Sequence, residues 1–484
     1  MCGNKKTDVS RLMKRCTMLW AIVALLVWSA MTVAQPVPPE LQQTLRATGL
    51  PDSSISVYVQ EVGGGPLIAI NATEPRNPAS VMKMVTTWAG LLALGPEHTW
   101  RTVALADHGI RVDDQGTLAG PLYIKAAGDP FFSVSDLWGM LRELRLRGIK
   151  NLSEVVVDRS VFGTVAIDPG AFDGAFDSPY NASPDAMMVG LGAVRLLFHP
   201  DTQGQKWIPV VDPPVQGVRV TGEVGWRSGV CPGSPRITTQ LSTVGSETHI
   251  QVGGEAIASC GAFSAYRLAQ SQERYFDGVF RMLWRELGGT LARDIRSGRV
   301  SAGAQAIAWH DSESLADVIR TINKRSNNVM ARMVLLNVGV SMNGPGATAH
   351  SAANAALAVL RNENVDTRGW VIDNGSGLSR TERLTAVGLA GMLDGVWGSP
   401  LVGEFVSSLA ISGVDGTVRR RLQNTDARGM AHLKTGTLRD ARALAGYVLG
   451  SSGKRYILVS MANHTNAVAM RPFEDALVKW LAAH

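Results

Sequence analysis

Residues that bind metals or form cross-links are scarce in this 484-residue chain, which has only four cysteines. Cys231 and Cys260 lie neither in a C-x-x-C pair nor beside a histidine at zinc-ligand spacing, so we expect no metal site. Internal repeats and low-complexity tracts are also missing. Charged residues make up 18% of the chain and hydrophobic residues 45%. This composition is typical of a folded globular protein and excludes extensive disorder.

The N-terminus has the pattern of an export signal. Five basic side chains between positions 5 and 15 precede an apolar run over 16–34, which ends in the small-x-small triplet Thr32-Val33-Ala34. We predict a signal peptide over 1–34. Cleavage after Ala30 is one alternative. An uncleaved membrane anchor is another, because an apolar run of this length can just span a bilayer.

Excess positive charge is confined largely to that segment. Without 1–34 the formal net charge falls from +6 to +2, so the basic composition gives no argument for nucleic-acid binding.

Cys2 and Cys16 lie in the same segment, 1–34. Cys231 and Cys260 then remain as an even pair in an exported chain, for which a disulfide is predicted.

Secondary-structure patterns change twice along the chain. Residues 55–70 alternate like a hairpin, and an apolar helix follows. Short strand patterns separated by turns dominate 97–301, and helices followed by strands dominate the last third. We therefore predict one α/β (α+β) domain built from 35–96 and 302–484. It is interrupted by a β-rich insertion over 97–301, expected to contain two subdomains.

Ser80 and Lys83 form an S-x-x-K pattern at the start of that helix. At positions i and i+3 the two side chains share one helix face. A lysine can remove a serine proton only if burial or a neighbouring cation lowers the lysine pKa. The alternative interpretation is that Ser80 and Lys83 are only the polar first turn of a buried helix. The hypothesis of a nucleophile and its base therefore calls for a partly buried site and a second positive charge nearby.

An S-x-N pattern at Ser326 and Asn328 lies where two predicted helices meet. Ser326 offers a second hydroxyl for proton transfer, and Asn328 offers an amide that could hold a substrate carbonyl. Ordinary helix capping, which Ser and Asn commonly provide, is the alternative interpretation.

The stretch K-T-G-T, from Lys434 to Thr437, lies on a predicted strand. Lys434 would supply the second cation. Thr435 and Thr437 offer hydroxyls to a substrate carboxylate, and Gly436 has no side chain that would keep the strand away from the nucleophile. An exposed turn is the alternative.

The order S-x-x-K, S-x-N and K-T-G resembles the penicillin-binding proteins and serine β-lactamases. Ser80 and Ser326 are 246 positions apart, with a β-rich block between them. This spacing is similar to that of class C low-molecular-mass penicillin-binding proteins. These are D-Ala-D-Ala carboxypeptidase/endopeptidases of the penicillin-binding protein 4 type, peptidase family S13. The stretches AGDPFFS, DNGSGLSR and SGVDGTVRRRL extend the resemblance. It implies an antiparallel sheet flanked by helices, with a large insertion.

The resemblance also implies roles for the motif residues. Ser80 would be acylated by the penultimate D-alanine, with Lys83 as general base, and Ser326 and Lys434 would pass the proton to the leaving amine. The backbone N–H groups of Ser80 and Thr437 would form the oxyanion hole. Residues implied in substrate binding are Asn328, Thr435, Gly436, Thr437 and Arg380.

The implied partners are peptidoglycan peptides and, as inhibitors, β-lactams; no cofactor is implied. The implied location is the periplasm, with peripheral association with the membrane or cell wall.

A β-lactamase or esterase on the same fold is one alternative function, although the long insertion and S-x-N in place of Y-x-N count against it. A non-catalytic cell-wall-binding scaffold is another, and the intact motifs count against that.

Overall fold

A computed structural model describes residues 37–231 and 233–484, so the predicted signal peptide lies outside the described residues. The α-helices are α1 (Pro39–Arg46), α2 (Met82–Leu94), α3 (Val134–Leu146), α4 (Gln272–Glu286), α5 (Leu315–Arg325), α6 (Asn328–Asn343), α7 (Ala349–Asn362), α8 (Ala386–Trp397), α9 (Val402–Ser408) and α10 (Arg471–Ala483). Within the described ranges, no helix has both the length and the apolar character needed to cross a bilayer.

The strands alternate with these helices along the chain. They are β1 (Ile55–Glu61), β2 (Pro66–Ile70), β3 (Arg101–Ala106), β4 (Thr117–Leu118), β5 (Leu122–Lys125), β6 (Asn151–Leu152), β7 (Val155–Asp158), β8 (Val194–Asp201), β9 (Lys206–Asp212), β10 (Val218–Gly222), β11 (Val224–Arg227), β12 (Arg236–Val244), β13 (Glu247–Ile257), β14 (Phe263–Arg267), β15 (Thr290–Leu291), β16 (Ile295–Ser297), β17 (Gln305–Asp311), β18 (Ala410–Ile411), β19 (Ala431–Thr437), β20 (Ala441–Leu449) and β21 (Arg455–Asn463). The hairpin predicted over 55–70 is present as β1 and β2.

Strands from both ends of the described chain form a six-stranded antiparallel sheet in the order β18-β19-β20-β21-β1-β2. The N-terminal hairpin joins the C-terminal strands through β1 and β21, where Val57 lies opposite Ser460. Strand β20 is buried along almost its whole length. Its side chains are mostly apolar on both faces because both faces of the sheet are covered.

Helices cover the two faces of this sheet. On one face α1 and α10 pack in an apolar core in which Phe473 and Leu477 of α10 lie with Leu458 of β21. On the other face α8 packs against β1 and β21, with Leu389 and Met461 in a second core. The predicted fold class, an antiparallel sheet flanked by helices with a β-rich insertion, is confirmed.

Helix α2 lies at the centre of the second core, with α5, α6 and α7 packed around it. Ten consecutive residues, from Met82 to Leu91, are buried. Its side chains are therefore apolar nearly all round, as expected for a helix without a solvent face. A polar residue in its first turns, such as Lys83, is consequently forced into the interior.

Three further sheets form between α2 and α5. One is parallel, in the order β15-β6-β4; the second has the order β16-β7-β5-β3-β17; the third is seven-stranded and contains β8 to β14. The predicted disulfide between Cys231 and Cys260 is present in this region. Strand β17, from the segment predicted as catalytic, pairs with β3. The boundaries of 97–301 and its two subdomains stay predictions.

A buried carboxylate joins the C-terminal helix to the sheet. Glu474 of α10 has no exposed surface, and its Oε2 accepts hydrogen bonds from Arg442 Nε at 3.0 Å and Nη2 at 2.7 Å. Arg421 Nη2 donates to the same oxygen at 3.1 Å, and Arg421 Nε donates to Asp475 at 2.8 Å. Two guanidinium groups therefore depend on one buried anion.

Replacing that anion should destabilise the fold strongly. Glu474→Ala leaves the buried Arg442 without a partner and Arg421 with Asp475 alone, and we expect the free energy of unfolding to fall by about 3–5 kcal/mol. Urea titration followed by circular dichroism measures the loss. Lys479→Ala, an exposed position on the same helix, is the control and should change stability by less than about 0.5 kcal/mol. Equal losses in both variants would contradict the interpretation.

Candidate active site

The serine and lysine of the first motif contact each other where α2 begins. Ser80 lies in a 3-10 turn, Ala79–Val81, that continues directly into α2. Lys83 Nζ donates a hydrogen bond to Ser80 Oγ at 3.0 Å. Ser80 is partly exposed and Lys83 is fully buried. A partly exposed hydroxyl and a desolvated amine are therefore paired.

Two further oxygens surround the Lys83 amine. Lys83 Nζ donates to Asn328 Oδ1 at 2.6 Å and to the backbone carbonyl of Ser376. A neutral amine has two N–H donors and one lone pair. If those donors remain on Asn328 and Ser376, the lone pair is directed at the Ser80 hydroxyl. The surroundings of Lys83 thus suit an amine that accepts the serine proton.

The second lysine forms a separate pair with the S-x-N serine. Lys434 on β19 is fully buried, and its Nζ donates to Ser326 Oγ at 2.9 Å and to the Thr435 carbonyl at 2.8 Å. Ser326 has a φ of 58°, a left-handed conformation that ends α5 before α6 begins at Asn328. The helix junction predicted near Ser326 is therefore present, and it directs both motif residues into the site.

Burial and like charge act together on the two amines. Burial lowers the pKa of Lys83 well below its ordinary value, and the positive charge of Lys434 lowers it further. Glu382 opposes this shift, and Arg332 adds weakly to it. Burial also lowers the pKa of Lys434 to about 7. Two buried amines close together disfavour simultaneous protonation, so a neutral lysine at the site is accessible near neutral pH.

Two glycines allow the backbone to lie close to Ser80. A Cβ on Gly436 would lie 2.5 Å from the Pro78 carbonyl oxygen and 3.0 Å from the Ser80 nitrogen. A Cβ on Gly377, whose φ is +80°, would lie 2.0 Å from the Ala79 carbonyl oxygen. The close approach predicted for the K-T-G strand is present. The backbone at Gly377, in the stretch Ser376-Gly377-Leu378, also lies close to the residues around Ser80.

The remaining predicted binding residues lie at the rim. Thr435 Oγ1 donates to Thr417 Oγ1 at 2.8 Å, and Thr437 is exposed at the end of β19. Arg380 is exposed, donates to Asp440 at 2.8 Å, and lies 4.2 Å above the Phe172 ring. Arg380 makes no hydrogen bond to the Ser80–Lys83 or Ser326–Lys434 pair among the described residues. Its role in substrate binding stays a prediction.

Sequence reasoning missed a buried carboxylate beside the site. Glu382 has no exposed surface, and its Oε1 accepts from the backbone N–H groups of Asp373, Asn374 and Gly375 at 3.3, 3.1 and 2.7 Å. These bonds hold the loop that presents the Ser376 carbonyl to Lys83. An acidic residue after the SGLSR stretch was the available signal, but its burial depends on the tertiary fold.

The insertion also reaches the site through backbone carbonyls. Asn328 Nδ2 donates to the Tyr180 carbonyl at 3.4 Å, and Arg332 Nη1 donates to the Ala182 carbonyl at 3.0 Å. Arg332, one turn after Asn328 on α6, is only 4% exposed. Asn328 and Arg332, the two α6 residues near Lys83, therefore both donate hydrogen bonds to the same loop of the insertion.

The site combines an accessible hydroxyl, a buried amine and a second hydroxyl–amine pair, the groups needed for acyl transfer through a serine. A model of the D-Ala-D-Ala carboxypeptidase 3 (S13) family matches residues 39–484. The chain belongs to this family. It is a serine-type carboxypeptidase, in agreement with the sequence resemblance.

Curated relatives and solved structures are similar over most of the chain. A D-alanyl-D-alanine carboxypeptidase of Actinomadura sp. (strain R39) is 27% identical over 446 residues, covering 88% of this chain and 81% of the relative. D-alanyl-D-alanine carboxypeptidase DacB of Haemophilus influenzae is 23% identical and covers 85% of each chain. The crystal structure of penicillin binding protein 4 from H. influenzae aligns with a TM-score of 0.74 and 21% identity, covering 92% of this chain and 99% of that one.

Glu382 should give the S13 site a measurable pH signature. Burial raises the Glu382 pKa to about 7 from an ordinary value near 4.5, so its ionisation costs stability as pH rises through that range. Glu382→Gln removes this cost. We expect the free energy of unfolding of the variant, relative to the native chain, to increase by about 1–3 kcal/mol from pH 5 to pH 8.

Urea titrations at both pH values measure this difference, and any constant packing effect of the substitution cancels between them. Glu286→Gln, an exposed carboxylate on α4, is the matched control and should show no pH-dependent difference. A difference for Glu382→Gln that stays flat or falls with pH would contradict a buried carboxyl group with a raised pKa.

Proposed function

We propose that the protein hydrolyses D-Ala-D-Ala termini and D-Ala–meso-diaminopimelate cross-links of peptidoglycan through an acyl-enzyme on Ser80. The observation that carries this proposal is the buried Lys83 amine, 3.0 Å from Ser80 Oγ and near a second buried lysine. The names of the Actinomadura and H. influenzae relatives support the D-alanyl-D-alanine specificity.

In the first step, neutral Lys83 removes the Ser80 proton as Oγ bonds to the carbonyl carbon of the penultimate D-alanine. The carbonyl oxygen becomes an oxyanion, which the backbone N–H groups of Ser80 and Thr437 would stabilise. The Leu438 N–H donates to Ala441 of β20. Because donors alternate sides along an antiparallel strand, the Thr437 N–H points away from β20.

In the second step, the C–N bond breaks and the leaving amine gains a proton. We assign this transfer to Ser326 and Lys434, which pass on the proton that Lys83 removed. Their 2.9 Å hydrogen bond supports the assignment. Lys83 becomes neutral again and can activate the water that hydrolyses the ester. Asn328 would hold the substrate carbonyl, and Thr435 and Thr437 the carboxylate, with Arg380 at the rim.

The same serine should react with β-lactams, whose ring carbonyl is an activated amide. A second structure of the H. influenzae penicillin binding protein 4, with a TM-score of 0.71 and 21% identity, contains a bound β-lactam, which supports this extension. We further propose that 35–96 and 302–484 form the catalytic unit, that 97–301 is an insertion, and that the segment 1–34 directs export to the periplasm.

Treatment with benzylpenicillin should add one penicilloyl group to the peptide that contains Ser80. We expect no adduct on Ser80→Ala. For Lys83→Ala we expect acylation to slow by roughly 10²–10⁴-fold, because the base is lost. Peptide mass spectrometry locates the adduct, and stopped-flow measurements give the acylation rate.

A circular dichroism spectrum of each variant is the control for folding. An adduct on a peptide that lacks Ser80 would contradict the assignment of the nucleophile. A Lys83→Ala variant that remains folded and acylates at the native rate would contradict the assignment of the base.

A further inference from the structure

A basic groove adjoins the active site on the Ser326 side. It has a volume of about 460 Å³, and its lining residues are Lys324, Arg325, Gly416, Thr417, Arg419 and Arg420. We call it the arginine groove. One wall is the C-terminal end of α5, and the other is a 3-10 turn, Gly416–Val418, with the residues that follow it.

Gly416 brings the two walls together. Its φ is +56°, and a Cβ there would lie 2.9 Å from the Lys324 carbonyl oxygen. Lys324 also forms an ion pair with Asp415, which holds the turn against the end of α5. The closeness of the two basic segments therefore follows from the fold and does not depend on flexible side chains alone.

The groove has a surplus of positive charge. Its arginines, Arg325, Arg419 and Arg420, are exposed and form no ion pair among the described residues. The adjacent Arg421 differs, because it is buried and bound to Glu474 and Asp475. The run R-R-R thus provides one arginine to the fold and two to the groove. Exposed guanidinium groups without anionic partners suit planar carboxylates.

The position of the groove, next to Ser326 and Thr435, places it beside the leaving group of the proposed reaction. Arg325 directly precedes Ser326, and Thr417 accepts a hydrogen bond from Thr435 at 2.8 Å. In the proposed mechanism, Ser326 and Lys434 deliver the proton to the leaving nitrogen. Side chains next to them therefore face the leaving group and not the acylating half of the substrate.

We propose that the arginine groove binds the carboxylates of the peptide strand released when a cross-link is cut. This inference rests on the proposed function. A departing D-alanine carries one carboxylate, whereas a departing stem peptide carries the diaminopimelate carboxylate and further ones along its chain. The surplus charge consequently favours cross-linked substrate over a terminal D-Ala-D-Ala group.

The double variant Arg419→Gln/Arg420→Gln tests this preference without changing the active-site residues. Cleavage of a purified cross-linked muropeptide dimer and D-alanine release from a monomeric pentapeptide are measured as kcat/KM. We expect the variant to lose about tenfold on the dimer and no more than about twofold on the pentapeptide. Raising salt from about 50 to about 300 mM should reduce the native preference for the dimer, because screening weakens exposed charge pairs.

Arg142→Gln/Arg147→Gln is the matched control. Arg142 on α3 and Arg147, which directly follows α3, are exposed and lie outside the groove, and the charge change is the same. It should leave both rates unchanged. Equal losses on dimer and pentapeptide, or no loss on the dimer, would overturn the groove proposal while the proposed function stands. A native enzyme that releases D-alanine but never cuts the dimer would instead overturn the endopeptidase part of the proposed function, and the groove proposal with it.

Discussion

The burial of two lysine side chains, Lys83 and Lys434, constrains the structure around the site. Removing an ammonium group from water costs several kcal/mol unless oxygens or anions replace the solvent. Here the Ser80 hydroxyl, the Asn328 amide oxygen and the Ser376 carbonyl contact the Lys83 amine. The amide comes from α6, and the carbonyl comes from the loop that Glu382 holds. Helix α2 must therefore lie inside a complete shell of other elements, and the six-stranded sheet completes it with β19.

Local geometry made part of this arrangement predictable from the sequence. Ser80 and Lys83 had to share a face because they are three positions apart at a helix start, and the contact at 3.0 Å follows from that spacing. The contact of Ser326 with Lys434 is different, because 108 residues separate them. No periodicity brings such residues together. The resemblance to the S13 family led us to expect that Ser326 and Lys434 act together. It also led us to expect an antiparallel sheet flanked by helices.

Other parts of the site lay beyond any motif. The Ser376 carbonyl and the carbonyls of the insertion are backbone groups, which every residue has, so no residue type marks them. Glu382 looks like an ordinary surface acid in the sequence, yet it is fully buried against three backbone N–H groups. Its environment is decided by how the loop folds over α2 and α6, which is a property of the tertiary structure.

The hydrogen bonds from Asn328 and Arg332 to the Tyr180 and Ala182 carbonyls bear on how this architecture can change over time. An insertion that only decorated a catalytic core could be lost in a single deletion. Here deletion would leave a buried guanidinium without its acceptor on the helix that also contacts Lys83. Any shorter chain that lacks this loop would therefore need compensating substitutions at Asn328 and Arg332 of α6.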